Sequence, residues 1–231
     1  MSVKRLALAI VVVGVLAVAA RALYAHLPDR WNPWAELRLD DPPNLLTRYK
    51  LDRLSSDADR CRAVLASSDF EFEPVPDRAT GPACGFHNAV RIDRTSVAVG
   101  KPFSLSCRAA VSLALWERHG LQPAARREFG RPVARIEHFG SYACRNIYGR
   151  SDAVRSQHAT AEALDVAGFV LADGTRIRVL ADWKDQDKRG EFLREARTSA
   201  CQFFDGVLSP DYNSAHRDYL HLDRGRWRVC R

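Results

Sequence analysis

Six cysteines at wide, irregular spacings constrain this chain more than any other feature: Cys61, Cys84, Cys107, Cys144, Cys201 and Cys230. No two form a CxxC pair, which argues against a zinc site built from four thiolates. An even count in an exported chain reads instead as three disulfides, with the connectivity left open by the sequence. Cys201–Cys230 is the pairing most readily expected, because it would tie the chain end to a helix just before the last cluster of polar residues.

Export is read from the first residues. Met1-Ser-Val-Lys4-Arg5 is short and basic, and Leu6 to Ala20 is apolar, broken only by Gly14. That is the shape of a secretory signal, with Ala20-Arg21-Ala22 as a possible cleavage point. Read through Arg21, the apolar length approaches the roughly 17–25 residues that span a bilayer. Residues 1–25 are therefore expected to be a signal-anchor with Lys4 and Arg5 on the cytoplasmic side, or else a cleaved signal peptide. Residues 26–46 read as a linker, since Pro28, Pro33, Pro42 and Pro43 keep it extended. Trp31 and Trp34 suit either a membrane interface or packing onto the domain.

Residues 47–231 are enough for one domain with a sizeable core. Apolar spacing predicts helices over 52–67, over 102–119 with Gly120 as its stop, over 122–129 and over 191–207. Strands are predicted over 89–92 and 133–139. Runs over 164–171 and 175–180 flank Asp173-Gly174 and read as a hairpin. A last strand over 218–222 is expected beside that hairpin.

Two segments carry the chemistry. Ser156-Gln-His158-Ala-Thr-Ala161-Glu-Ala163-Leu-Asp165 places an imidazole and a carboxylate seven residues apart, with Asp165 opening an apolar run. His216-Arg-Asp218-Tyr219-Leu-His221-Leu-Asp223 adds two histidines, two aspartates and a tyrosine. Two imidazoles and a carboxylate leave one tetrahedral position of zinc open, the layout of a catalytic rather than a structural site. His26, His87, His119 and His138 lie outside both segments and are assigned no chemistry. The net charge of +7 is spread among 28 acids, and no groove-reading helix or RNA-binding motif stands out, so no nucleic-acid partner is expected. An exported basic protein fits an anionic polymer better.

Ser156-x-His158, Ala163-x-Asp165 and Asp218-x-x-His221 resemble the zinc D,D-peptidases, the D-Ala-D-Ala carboxypeptidases and murein endopeptidases. More broadly, residues from about Leu45 to Cys230 are similar to the bacterial extensin-like C-terminal domain family. The carrying stretches are Gly140-Ser-Tyr-Ala-Cys144-Arg145, Phe192-Leu-Arg194, Ala200-Cys201-x-Phe203-Phe204 and Pro210-Asp-Tyr-Asn213. The resemblance implies an α+β fold: a small antiparallel sheet with helices packed on one side, D-Ala-D-Ala peptidase-like, behind the N-terminal membrane anchor. It implies one zinc ion held by His158, Asp165 and His221, with Ser156 or Asp223 orienting an imidazole. Asp218 becomes the general base and His216 its runner-up. Arg145 is the candidate for the substrate carboxylate or the oxyanion, and Tyr219 for substrate binding. The implied partners are peptidoglycan peptides and the bacterial inner membrane, with a monomeric domain in the periplasm. The alternative is a wall-binding module of the same fold without turnover. Two positions depart from the pattern: Ala161 replaces a glycine of the peptidases, and Tyr219 replaces the family's usual histidine.

Overall fold

The computed structural model describes residues 3–231, apart from the side chains of Ala20, Leu23 and Ala25. Met1 and Ser2 of the expected signal lie outside the described residues. Helix α1, Val3–Ala25, is continuous and leaves Leu8, Ile10, Val13 and Leu16 exposed. Among the described residues no helix is long and apolar enough to cross a membrane, so the expected membrane anchor finds no support here. Leu37 and Leu39 of the expected linker enter the hydrophobic core, whereas Trp31 and Trp34 stay exposed.

The helix expected over 52–67 is two helices, α2 (Leu45–Arg53) and α3 (Ala58–Ala66). Each starts on a side-chain cap. Asn44 Oδ1 accepts from the Leu46 amide at 2.8 Å, and Asp57 Oδ1 accepts from the Arg60 amide at 3.0 Å. Strands β1 (Glu71–Val75), β2 (Arg78–Gly81), β3 (Cys84–Phe86), β4 (Ala89–Arg94) and β5 (Phe103–Ser106) follow. β2 and β3 form a hairpin, and β1, β4 and β5 form an antiparallel sheet in the order β1-β4-β5.

Ser106 closes β5 and caps the next helix, its hydroxyl accepting from the Ala109 amide at 3.3 Å. α4 (Cys107–Trp116) then passes through one π turn, Glu117–Leu121, into α5 (Gln122–Phe129). Gly120 therefore does not stop the helix as expected. A Cβ there would stand 2.6 Å from Ser199 Oγ, so the glycine is selected by the close approach of a later helix. Tertiary contact, not capping, explains it.

The second sheet holds β6 (Val133–Gly140), β7 (Ala163–Leu171), β8 (Arg176–Arg178), β9 (Gly206–Leu208), β10 (Leu220–Asp223) and β11 (Val229–Cys230). Its order is β11-β9-β10-β7-β6, with β8 also pairing β7, and all pairings are antiparallel except β11 with β9. The expected hairpin is shortened, because α6 (Val179–Asp182) takes over from β8. α7 (Lys188–Ala200) ends before Phe203 and Phe204, and Val207 belongs to β9 rather than to the helix predicted over 191–207. Trp116 of α4 and Phe192 of α7 meet Phe169 of β7 edge-on at 6.2 and 5.3 Å. This aromatic seam, worth up to about 1.5 kcal/mol per pair beyond burial, locks the helices to the sheet. The mixed α/β architecture with small antiparallel sheets is as expected.

Three disulfides close the molecule: Cys61–Cys107, Cys84–Cys144 and Cys201–Cys230, the last as the sequence suggests. Loops of these lengths restrict the unfolded chain by roughly 4 kcal/mol each in the chain-entropy account.

Glu117, at the start of the π turn, is 1% exposed. Its Oε2 accepts from the Ser96 amide at 3.2 Å and from the Ser96 hydroxyl, while its Oε1 has no partner. Burial pushes its pKa up to about 7, against hydrogen bonds from Ser96 and Thr95. A raised folded pKa means the folded state holds a proton that the unfolded chain releases. Stability therefore falls as pH rises from about 4.5 to about 7, by on the order of 3 kcal/mol. Glu117→Gln is expected to remove that fall and to be more stable than the wild type at pH 8. Urea unfolding midpoints of both proteins at pH 5 and pH 8 measure it; an unchanged pH dependence would contradict the assignment.

Candidate metal centre

The turn before β7 decides where His158 goes. Gln157–Thr160 is a single 3₁₀ turn, capped by Ser156, whose hydroxyl accepts from the His158 amide at 3.3 Å. Ala161 then adopts a left-handed conformation at φ +55° and is fully buried. That conformation costs an L-residue about 1–2 kcal/mol, which is why glycine is the natural occupant. Burial of its methyl with Phe86 and Ala89 offsets part of the cost. The reversal folds the seven-residue spacing back on itself, so His158 returns to Asp165 near the start of β7. β10 runs antiparallel to β7 and sets His221 directly opposite Asp165 in register. Cross-strand partners share a face of the sheet, so carboxylate and imidazole meet.

Three atoms converge. His158 Nε2 lies 3.2 Å from Asp165 Oδ1 and 3.2 Å from His221 Nδ1, and His221 Nδ1 lies 2.9 Å from Asp165 Oδ1. Ligand bonds of about 2.0–2.1 Å in a tetrahedron put ligand atoms roughly 3.3 Å apart, close to this triangle. Each imidazole's other nitrogen is committed. His158 Nδ1 donates to the Ser141 carbonyl at 2.5 Å, and His221 Nε2 donates to Asp223 Oδ2 at 3.0 Å. Since carbonyl and carboxylate oxygens only accept, each ring when neutral turns its lone pair inward. In that state two imidazole lone pairs and a carboxylate oxygen face one another in a buried space, a set that a cation would satisfy.

The electrostatics agree. Burial would raise Asp165, yet its contacts with the His158 and His221 imidazoles hold its carboxyl down at about 2. Burial would lower His221, yet hydrogen bonds to Asp165 and Asp223 and their charges push it up to about 9. Without a metal, a proton on His221 supplies the missing positive charge.

Asp223 orients an imidazole, as expected; Ser156 caps a backbone turn rather than orienting a ring. The partner of His158 is the Ser141 carbonyl, a backbone atom that no side-chain pattern betrays. Asp223 is itself fixed from both sides. Its Oδ1 accepts from the Gly225 amide at 2.6 Å, and a Cβ on Gly206 would fall 2.0 Å from its Oδ2.

Around the triad stands an aromatic rim. The His216 ring centre is 5.3 Å from Tyr219, 5.5 Å from Tyr212 and 6.0 Å from His221. His216 Nδ1 donates to Asn213 Oδ1 at 2.8 Å, and Asn213 Nδ2 donates to Tyr148 Oη at 2.8 Å. Burial and the neighbouring His221 push His216 down to about 4, so it is neutral at pH 7 with Nε2 as an acceptor. Burial and the Asp165 charge push Tyr219 up to about 12. Arg145 is exposed near Tyr219, and its charge works against that rise. Among the described residues neither Arg145 nor Asp218 forms an ion pair. Asp218 is half-buried and lines a 320 Å³ cavity with Phe139, Arg176 and Arg178. Arg224 is committed elsewhere, to Asp52 and Asp205.

Fold and site together define an α+β domain with a buried His–Asp–His cluster, pinned by three disulfides. The extensin-like protein C-terminus family matches residues 59–231, and the chain belongs to that family. No curated protein matches the chain, and no solved structure does. The peptidase-like part of the expected fold therefore has no counterpart among them.

Asp223→Asn keeps the shape of the side chain but cannot accept at both oxygens. It is expected to weaken zinc binding by about 10–100-fold, the usual cost of losing such a support. Gly206→Ala should act in the same direction by displacing Asp223. Competition titration against a chromophoric chelator measures both; wild-type affinity in Asp223→Asn would contradict this assignment.

Proposed function

We propose that this domain is a zinc-dependent peptidase or amidase acting on D-amino-acid-containing peptides of peptidoglycan. The observation that carries the reading is the triangle of ligand-type atoms on His158, Asp165 and His221, all within 3.2 Å of one another. Its two nitrogens and one oxygen are a donor set that suits zinc and leaves a coordination position for chemistry.

When bound, zinc supplies Lewis-acid polarisation and a water whose pKa falls to about 7. The chain supplies the rest. Asp218 takes the proton of the attacking water and returns it to the leaving amine as the amide C–N bond breaks. His216, neutral and with Nε2 free to accept, is the second acceptor for that proton. Arg145, unpaired, offers a fork of donors to a substrate carboxylate or to the oxyanion. Tyr219 keeps its proton and donates it in a hydrogen bond to the substrate carbonyl. Three disulfides suit an oxidising, exported setting. In this reading residues 1–25 act as an export signal, and a monomeric domain works in the bacterial periplasm.

A second reading, a wall-binding module without turnover, is favoured by one observation: a tyrosine pushed up to about 12 stands where the family usually has histidine, and it accepts no proton at neutral pH.

Chelator-stripped protein is expected to take up one equivalent of zinc, and His158→Ala or Asp165→Ala to take up none. The zinc-loaded wild type should release muropeptides from sacculi, with Asp218→Ala slower by about 10²–10⁴-fold. Digestion by the wild type beside Tyr219→His separates the two readings. Release only by Tyr219→His would make the natural protein a binder.

A further inference from the structure

β5 is the last strand of the three-stranded sheet, and β6 is the last strand of the six-stranded sheet. These two sheet edges flank one groove. It is pinned at one end by Ala98, which donates to the Ala134 carbonyl at 3.1 Å and accepts from the Ile136 amide at 2.9 Å. It is pinned at the other by the Ser141 hydroxyl, which donates to the Ser104 carbonyl at 2.5 Å. Between the pins, His138 Nε2 donates to the Lys101 carbonyl at 3.0 Å and holds the loop before β5. The space so framed is about 720 Å³, within the range of ligand sites, and Phe86, Phe103, Phe139 and Tyr142 supply its apolar wall.

Two features give the groove a direction and a charge. Ser141, which closes it, is the residue whose carbonyl holds His158, and Gly140 beside it is in register with Asp165. The groove thus runs towards the metal centre. Lys101 and Arg135 on its lining are exposed and form no ion pair among the described residues, while its carboxylate, Glu137, is neutralised by Arg176 at 2.8 Å. The groove is left with surplus positive charge.

We propose that this groove is the substrate cleft, and that it takes an extended, carboxylate-bearing peptide laid along its aromatic wall, over the seam between β5 and β6. The aromatic wall supplies apolar contact, and the two cations select for carboxylates. Lys101 and Arg135 anchor the peptide's carboxylates, and its far end reaches the triad at Ser141. The identity of the peptide rests on the function proposed above; the groove's preference for an anionic peptide does not.

The test uses the full chain and a fluorescein-labelled L-Ala–D-Glu–L-Lys–D-Ala–D-Ala pentapeptide, read by fluorescence anisotropy with the protein zinc-loaded and chelator-treated. Saturable binding is expected in both forms. Lys101→Glu/Arg135→Glu, two changes at exposed positions, should weaken it by about tenfold. A peptide with its carboxylates amidated should be weakened to a similar degree. Peptide should also slow amide hydrogen exchange across 137–140. No saturable binding, an unchanged Kd in the double variant, or protection confined elsewhere overturns the proposal. Failure of zinc uptake would sink the metal reading and leave this one standing, so the two failures are distinguishable.

Discussion

The Asp165 carboxylate is the constraint on which the rest of this structure turns. It is 8% exposed and receives two imidazoles on one oxygen. An ionised carboxylate in such a place must be paired. Its partners are themselves pinned by the Ser141 carbonyl and Asp223, which turn the other nitrogen of each ring towards the same point. Each of these supports is held by the fold. β7 and β10 set the register, Gly206 makes room for Asp223, and the left-handed Ala161 returns His158 to the strand it precedes. The backbone is thus bent into an unfavourable conformation beside the buried ionic cluster that it positions.

The same economy explains why the scaffold is so heavily tied. A three-atom triangle works only if strands and turns hold their places to a fraction of an ångström. Cys84–Cys144 fixes the segment between Ser141 and Arg145, and Cys201–Cys230 fixes α7 to β11 at the sheet's edge. Glu117 and Asp182 are buried carboxylates that these demands do not explain. Glu117 lies at the π turn, where its raised pKa bears on stability.

How much of this was legible in the sequence depends on what kind of force acts. His158 and Asp165 were legible because an apolar strand and a short turn fix their relative placement locally, whereas His221 reaches them only through the pairing of β10 with β7. Most strands of the second sheet were legible from their apolar runs. Gly120 was misread, since a glycine reads as a stop until α7 is seen against it. The helix expected over 191–207 ran too long because Phe203, Phe204 and Val207 continue a helical spacing after the backbone has left it. The proline-punctuated residues 70–86 hid three strands, β1 paired with β4 and the short hairpin of β2 and β3. Ser141 was invisible for a different reason: a carbonyl oxygen is offered by every residue, and only the fold says which one counts. Asn213, which fixes both His216 and Tyr148, stood in a recognised stretch without any mark of its role.

The central claim is that two imidazoles present specified nitrogens to one cation. Nitrogen-15 long-range correlation spectra of His158 and His221, recorded before and after one equivalent of zinc at neutral pH, test it most directly. The account predicts that Nε2 of His158 and Nδ1 of His221 take metal-bound shifts. It also predicts that His158 Nδ1 and His221 Nε2 keep their protons, and that His221 loses its Nδ1 proton on zinc addition. Unchanged spectra, or the opposite tautomer on either ring, would contradict it.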